Sequence, residues 1–194
     1  MKVIDQEIAS LKNSISEMWA LVHQQLYNAG EAMLTGDKEL AYKVISRERR
    51  VNAFELKIDS DCEDIIALYA PVAVDLRFVL AMYKINTNLE RLGDFAESIA
   101  RFAGNLPEGV PVDPQLIKDT RVEEMLQELL SMLTLSQEAF EKESSEIASR
   151  IFLKDNLIDE INHNSTRIIA DYIEKHPADS GIIYCATRKN VDKL

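Results

Sequence analysis

Two apolar-periodic stretches of the sequence each carry a pair of carboxylates four residues apart. Glu55 and Asp59 form one pair, and Glu90 and Asp94 form the other. On a helix this spacing puts both side chains of a pair on one face, one turn apart, where like charges repel by roughly a few tenths of a kcal/mol. If the two helices pack antiparallel, the pairs would face each other. Four carboxylates without thiol or imidazole suit hard cations such as Mg, Mn, Fe or Ca, and a bound cation would relieve the repulsion.

The second pair flanks a glycine inside its helical stretch. Gly93 costs about 1 kcal/mol relative to alanine in a helix interior, so we interpret it as a point where a neighbouring helix or loop approaches closely. Glu90 and Asp94 also continue a polar strip that includes Asn86 and Glu97. A solvated acidic face that binds no metal is the alternative interpretation of this strip.

A third pair of acids, Asp155 and Asp159, repeats the four-residue spacing later in the chain. Glu160 and His163 follow as a Glu-x-x-His motif, which is typical of di-iron carboxylate bundles. Such a site needs two of these motifs and two further glutamates, and the sequence has one motif. We find no P-loop, no Rossmann glycine pattern and no nucleophile beside a base, so we expect the chain not to be an enzyme.

Composition narrows the class of protein. Hydrophobic residues make up 46% of the 194, which is typical of a globular chain. The net charge of −11 disfavours nonspecific binding to nucleic acid, which requires clustered Lys and Arg. No run of 18 apolar residues predicts a membrane span. Cys62 and Cys185 are far apart and form no CxxC, so we expect a reduced, cytoplasmic protein.

Apolar residues recur every three or four positions in five stretches, and this period predicts long helices. The stretches are Ile4–Met33, Leu40–Tyr69, Leu76–Ile99, Val122–Phe140 and Ser144–Lys175. Gly36 and Pro71 separate the first three, and a further helix is expected to begin near Ser180.

The order helix, long helix, proline break, helix occurs twice, which predicts an all-α fold of two tandem three-helix bundles. We assign residues 1–103 to the first bundle, 104–114 to a linker rich in proline and glycine, and 115–194 to the second bundle. Because the sequence stops at Leu194, we expect the second bundle to lack most of its last helix.

Residues 75–100, DLRFVLAMYKINTNLERLGDFAESIA, resemble the signature of the PhoU family of bacterial phosphate-uptake regulators. Members carry Asp-Leu-Arg near the start of the third helix and then a Glu-Arg-[Ile/Leu]-Gly-Asp run. Residues 50–67 resemble the family's second-helix segment. The resemblance implies two similar three-helix bundles in a non-catalytic, cytoplasmic protein that represses phosphate-starvation signalling. Its implied partners are the ATPase of the phosphate ABC transporter and the phosphate-sensing histidine kinase.

The resemblance also implies a cofactor. Acidic motifs of the family hold divalent or ferric metal ions (Fe, Mn, Mg or Zn), sometimes as multinuclear iron clusters. Carried onto this sequence, the metal ligands are Glu55, Asp59, Glu90, Asp94, Asp155 and Asp159.

Further positions match the family pattern or depart from it. Asp75 and Arg77 match the Asp-Leu-Arg run, and we expect them either to contact a partner or to serve as a helix cap and an ion pair. Phe95 stands where the family often has histidine, which would change the ligand set.

We also expect a homodimer. Two alternative functions stay open, namely a di-metal enzyme of the carboxylate-bundle kind and a purely structural helical adaptor.

Overall fold

The computed structural model describes residues 3–107 and 112–175, and every regular element in these ranges is a helix. The all-α class is therefore confirmed. The helices, in chain order, are α1 (Val3–Thr35), α2 (Lys38–Tyr69), α3 (Ala73–Asn105), α4 (Pro114–Thr120), α5 (Val122–Glu141) and α6 (Ser145–Lys175). None of these described helices is both long and apolar enough to cross a membrane.

Helices α1, α2 and α3 pack against one another as a three-helix bundle. The predicted apolar stripes form its core. Ile15 and Val22 of α1, Val44 and Ile58 of α2, and Val79 of α3 are fully buried. Burial of each such side chain stabilises the fold by about 1.5–3 kcal/mol, so the first bundle holds α2 and α3 side by side in a fixed register.

The predicted helix breaks are confirmed between the first three helices. Gly36 adopts the left-handed conformation (φ 71°), and the Asp37 side chain caps α2 by accepting a hydrogen bond from the Leu40 N–H (2.9 Å). Helix α2 ends at Tyr69, two residues before Pro71. Short connections at both points require neighbouring helices to run antiparallel.

The segment predicted as a linker, 104–114, differs from the structure at both ends. Helix α3 continues to Asn105, because Gly104 is buried against the ring of Tyr42 and the helix gains packing beyond the glycine. At the other end Pro114 is already the first residue of α4, a helix that the apolar period did not predict. Asp113 caps it by accepting a hydrogen bond from the Gln115 N–H (2.8 Å).

The second half packs onto the first through α5 and α1. The Trp19 indole N–H donates a hydrogen bond to the Leu133 carbonyl (3.2 Å), and the Trp19 ring stacks on Phe140 with 5.7 Å between ring centroids. Lys12 forms an ion pair with Glu143 (2.9 Å) at the end of the same interface. The two repeats are therefore joined by a packed interface as well as by the connecting chain.

Helices α5 and α6 form an antiparallel pair, with α4 packed beside them. In the described part of the chain, Ile161 is the one residue of α6 that is fully buried. The apolar side chains of Phe152 and Leu153, by contrast, are 74% and 76% exposed. The helix expected to begin near Ser180 lies outside the described residues.

Phe140→Leu is expected to lower the free energy of unfolding by about 1 kcal/mol, because it removes an aromatic pair while keeping most of the apolar volume. Trp19 is the single tryptophan of the chain, so its fluorescence reports this interface directly. Urea unfolding followed by that fluorescence measures the effect. Phe152→Leu is the matched control, since Phe152 is exposed, and its urea midpoint should stay at the wild-type value. Equal midpoints for both variants would contradict the α1–α5 interface.

Candidate functional site: an acidic face on α2 and α3

Both predicted carboxylate pairs of the first bundle lie on one face, formed by α2 and α3. Burial raises the pKa of Glu55, and the charges of Asp59 and Asp94 raise it further. Burial also raises the pKa of Glu90, and Asp94 and Glu55 add to this effect, Asp94 also through a side-chain hydrogen bond. The two helices thus bring the four carboxylates close enough to interact. We call these four residues, with Glu48 and Glu97, the acidic face.

Asn86 fixes one side of the acidic face. This side chain is fully buried, and its amide N–H₂ donates to the Glu55 carbonyl (2.9 Å) and to Asp59 Oδ1 (2.7 Å). A residue that the sequence placed in the polar strip of α3 therefore crosses to α2 and holds one predicted ligand in position. The Asn86 amide oxygen itself has no hydrogen-bond partner in the described structure.

Glu48 is the member of the acidic face that sequence reasoning missed. It is only 5% exposed, and both of its carboxylate oxygens lack a hydrogen-bond partner in the described structure. Burial and, in decreasing order of effect, the charges of Asp94, Glu97 and Glu90 together raise the pKa of Glu48 to about 7. A buried carboxylate without partners is costly, so the fold places at this point a group that favours protonation or a positive charge.

A signal for Glu48 was present in the sequence. The apolar stripe of α2 runs from Val44 to Val51 without an apolar residue between them at the inward position. Glu48 lies four residues after Val44 and three before Val51, which is the spacing of one helix face. A charged residue at that position predicts a buried carboxylate.

Gly93 lies directly opposite Glu48 and Val51. A Cβ atom at Gly93 would lie 2.8 Å from Cγ1 of Val51 and 3.6 Å from both carboxylate oxygens of Glu48. The glycine is thus required by the close approach of α2, as expected from its position between Glu90 and Asp94. The same approach brings the Glu48 carboxylate up to the backbone of α3.

The acidic face is partly neutralised by neighbouring cations. Arg101 forms an ion pair with Glu97 (2.6 Å), and Arg91 lowers the pKa of Glu90 against the larger raising effects. Phe95, at the position where the family pattern often has histidine, is 46% exposed. Within the described ranges, no ion pair reaches Glu48, Glu90 or Asp94.

The donor chemistry of the acidic face fits a hard cation, since every ligand is a carboxylate and two buried oxygens are unpaired. The arrangement is not a finished coordination sphere. Across residues 3–107 and 112–175, no three His, Cys, Asp or Glu side chains are already grouped as a ligand set. Binding would therefore require rotation of exposed carboxylates such as Asp94 towards a common point.

The third predicted pair lies elsewhere. Asp155 and Asp159 are exposed on α6, in the other half of the molecule. Glu160 of the Glu-x-x-His motif is engaged by Arg121 (3.2 Å), and His163 is exposed. The helix expected to begin near Ser180 lies outside the described residues, and the metal role of Asp155 and Asp159 stays a prediction.

The helix cap and the ion pair expected of Asp75 and Arg77 are not formed within the described residues. Helix α3 begins at Ala73, so its N-cap residue is Val72, and no side chain caps it. Asp75 is the third residue of the helix, where it interacts favourably with the helix dipole without capping. No ion pair within the described part of the chain includes Asp75 or Arg77. Contact with a partner remains the other expectation for these residues.

Both halves of the chain match the same protein-family model. The model of the PhoU domain matches residues 15–103 and 122–187. The chain is 32% identical over 172 residues to the phosphate-specific transport system accessory protein PhoU homolog of Aquifex aeolicus (strain VF5), covering 89% of this chain and 76% of that protein. It is 31% identical over 184 residues to the phosphate-specific transport system accessory protein PhoU of Escherichia coli (strain K12), covering 93% and 75%.

Solved structures share the fold. PhoU from Pseudomonas aeruginosa superposes with a TM-score of 0.82 at 26% identity, over 90% of this chain and 82% of that one. The phosphate transport system regulatory protein PhoU from Streptococcus pneumoniae gives a TM-score of 0.78 at 28% identity, over 89% and 79%. The family model matches both repeats, the relatives align along most of the chain, and the solved structures share its fold. The chain therefore belongs to the PhoU family.

Proposed function

We propose that this protein is a negative regulator of phosphate uptake and of phosphate-starvation signalling. Its relatives are named accessory or regulatory proteins of phosphate transport systems, and membership of their family makes it a phosphate transport accessory protein. The finer proposal is that it acts in the cytoplasm, as a homodimer, through contacts with the ATPase of a phosphate ABC transporter and with a phosphate-sensing histidine kinase.

The proposal gives the acidic face the role of a cation-dependent docking surface. Glu48 carries it, because a buried and unpaired carboxylate beside Glu90, Asp94 and Glu97 favours a positive charge at this point. Glu55 and Asp59 supply further carboxylates of the same acidic face. A divalent or ferric ion held there would reduce the negative charge of the face and let a partner approach it.

Two experiments separate the parts of this proposal. Loss of the gene should raise phosphate uptake by cells in phosphate-rich medium, and the wild-type gene should restore repression. Unchanged uptake would contradict the regulatory role whatever the metal content. Co-purification of the protein with the transporter ATPase and the kinase then tests the partners.

The cation proposal predicts that the double variant E90Q/D94N loses bound metal. Elemental analysis of the untagged wild type should find Fe, Mn, Mg or Zn, and millimolar Mn or Mg should raise its melting temperature by several degrees. A ligand present at about 100 times its Kd stabilises by about 2.7 kcal/mol. The double variant should bind less metal and should show a smaller rise in melting temperature, because glutamine and asparagine bind these cations more weakly than the carboxylates they replace.

The control D171N/E174Q removes two negative charges from exposed positions of α6, in the other half of the molecule, and should respond to metal like the wild type. A structural adaptor predicts a different result. Wild-type protein would then ignore the metals, and E90Q/D94N would melt at the same or a higher temperature, since a like-charge repulsion is removed.

A further inference from the structure

A cavity of about 580 Å³ lies between α5 and α6, away from the acidic face. Ser131, Thr134 and Leu135 of α5 line one wall, and Arg150 and Lys154 of α6 line the other. This size lies within the range of small-molecule sites, which run from about 300 to 1,000 Å³. We call it the α5–α6 cavity. Its two cations stand out in a chain whose net charge is −11.

Arg150 is the free cation of the cavity. No carboxylate of the described residues lies within ion-pair distance of its guanidinium, although Arg150 is near enough to Glu138 to help lower the pKa of that carboxyl. Glu138 is itself bound by Lys142 (2.6 Å). The planar guanidinium fork is suited to bidentate binding of an oxyanion, and Arg150 is a solvent-exposed residue that lines this cavity without an ion-pair partner among the described residues.

Lys154 lies one helical turn from Arg150, on the same face of α6. Its ammonium group donates to Glu128 across the helix pair (2.6 Å), and both side chains are largely buried. This ion pair holds Lys154 in place against α5. Since an ammonium group has three donors, Lys154 can keep Glu128 and still donate into the cavity.

The side of the cavity formed by α5 carries two hydroxyl groups, those of Ser131 and Thr134. The Thr134 hydroxyl donates to the Leu130 carbonyl (2.9 Å), so its oxygen accepts from His23 Nε2, 3.1 Å away on α1. Ser131, one turn earlier, makes no hydrogen bond through its hydroxyl in the described structure and is available as a donor. Leu135 supplies an apolar surface beside these polar groups.

We propose that the α5–α6 cavity binds a phosphate group, with Arg150 as its main anchor and Lys154 and Ser131 as further donors. Three cations (Arg150, Lys154 and Lys142) against two carboxylates (Glu128 and Glu138) leave one net positive charge, which matches an anion of phosphate type. The cavity is larger than inorganic phosphate, so a small phosphate monoester would rest its organic part on Leu135. This site is independent of the cation-binding role of the acidic face.

Isothermal titration calorimetry of the full chain tests the site, with inorganic phosphate, AMP and adenosine as separate probes at constant ionic strength set by chloride. We expect phosphate or AMP to bind and adenosine not to bind. Tighter binding of AMP identifies a monoester as the ligand, and equal or tighter binding of inorganic phosphate identifies the free anion. In either case R150Q should weaken binding at least about tenfold, because it loses charge-assisted hydrogen bonds.

R167Q is the matched control, since Arg167 is an exposed arginine of the same helix that does not line the cavity. It should bind like the wild type, and R150K should bind with an affinity between the wild type and R150Q. Amide NMR signals of Ser131 and Thr134 should shift during the titration. The proposal is overturned if neither anion binds, if R150Q and R167Q weaken binding equally, or if those signals stay fixed.

Discussion

Raising the pH from about 5 to about 8 is expected to destabilise the metal-free protein by about 2.5 kcal/mol through Glu48 alone. The pKa of this carboxyl is about 7 in the fold against an ordinary value of 4.5, mainly because of burial and secondarily because of Asp94, Glu97 and Glu90. Between these two values the folded state holds a proton that the unfolded state has lost. The stabilising contribution is therefore complete below about pH 4.5 and is lost as the pH rises through 7.

The variant E48Q should remove the contribution of Glu48 to the pH dependence and leave that of Glu55 and Glu90, since glutamine keeps the shape of the side chain and carries no charge. Urea unfolding across the pH range measures the slope for both proteins. At about pH 8 we expect E48Q to be the more stable protein by up to about 3 kcal/mol. E63Q, which replaces an exposed acid of the same helix, should retain the wild-type slope. A wild-type slope in E48Q would show that Glu48 is not the buried, unpaired group described above.

Replacing Gly93 by valine is expected to lower the free energy of unfolding by about 3 kcal/mol, the upper range for overpacking of a core. Its Cβ would lie 2.8 Å from Cγ1 of Val51, and neither helix backbone can move without disturbing the acidic face. Val51 is β-branched and stiff, so it cannot rotate away freely. The urea midpoint and the melting temperature measure the loss.

Gly104 provides the matched control on the same helix. A Cβ atom at Gly104 would meet its nearest neighbour, Cε1 of Tyr42, at 3.7 Å, which is ordinary van der Waals contact. Gly104→Ala should therefore be neutral or should stabilise by up to about 1 kcal/mol through helix propensity. Gly93→Ala should instead destabilise, and Val51→Ala should partly relieve that loss in the double variant. Equal effects at both glycines would rule out a close contact at Gly93.

Local sequence signals were enough to predict the three helices of the first bundle. Their apolar stripes, the glycine stop at Gly36 with its Asp37 cap, and the break before Pro71 all correspond to elements of the structure. They could be predicted because each depends on residues within one or two turns. The additional turn at the end of α3 could not, since it depends on burial of Gly104 against a residue of α2.

The candidate site was predictable in part. The spacing of Glu55 with Asp59 and of Glu90 with Asp94 indicates that each pair shares a helix face, and antiparallel packing of α2 and α3 brings the pairs together. Glu48 was overlooked because its effect depends on what lies across the helix interface. If an arginine faced it across the interface, Glu48 would form an ordinary buried ion pair.

By itself the sequence determined the long helices, which of their faces are apolar, and where carboxylates line up along a helix, because these properties follow from a local period of 3.6 residues. The tertiary structure alone decided which groups meet. It placed Glu48 against Gly93, linked Asn86 to Asp59, and left Arg150 lining a cavity without an ion-pair partner among the described residues. These outcomes depend on the register between packed helices, where a shift of one turn, about 5.4 Å, replaces every neighbour of a side chain.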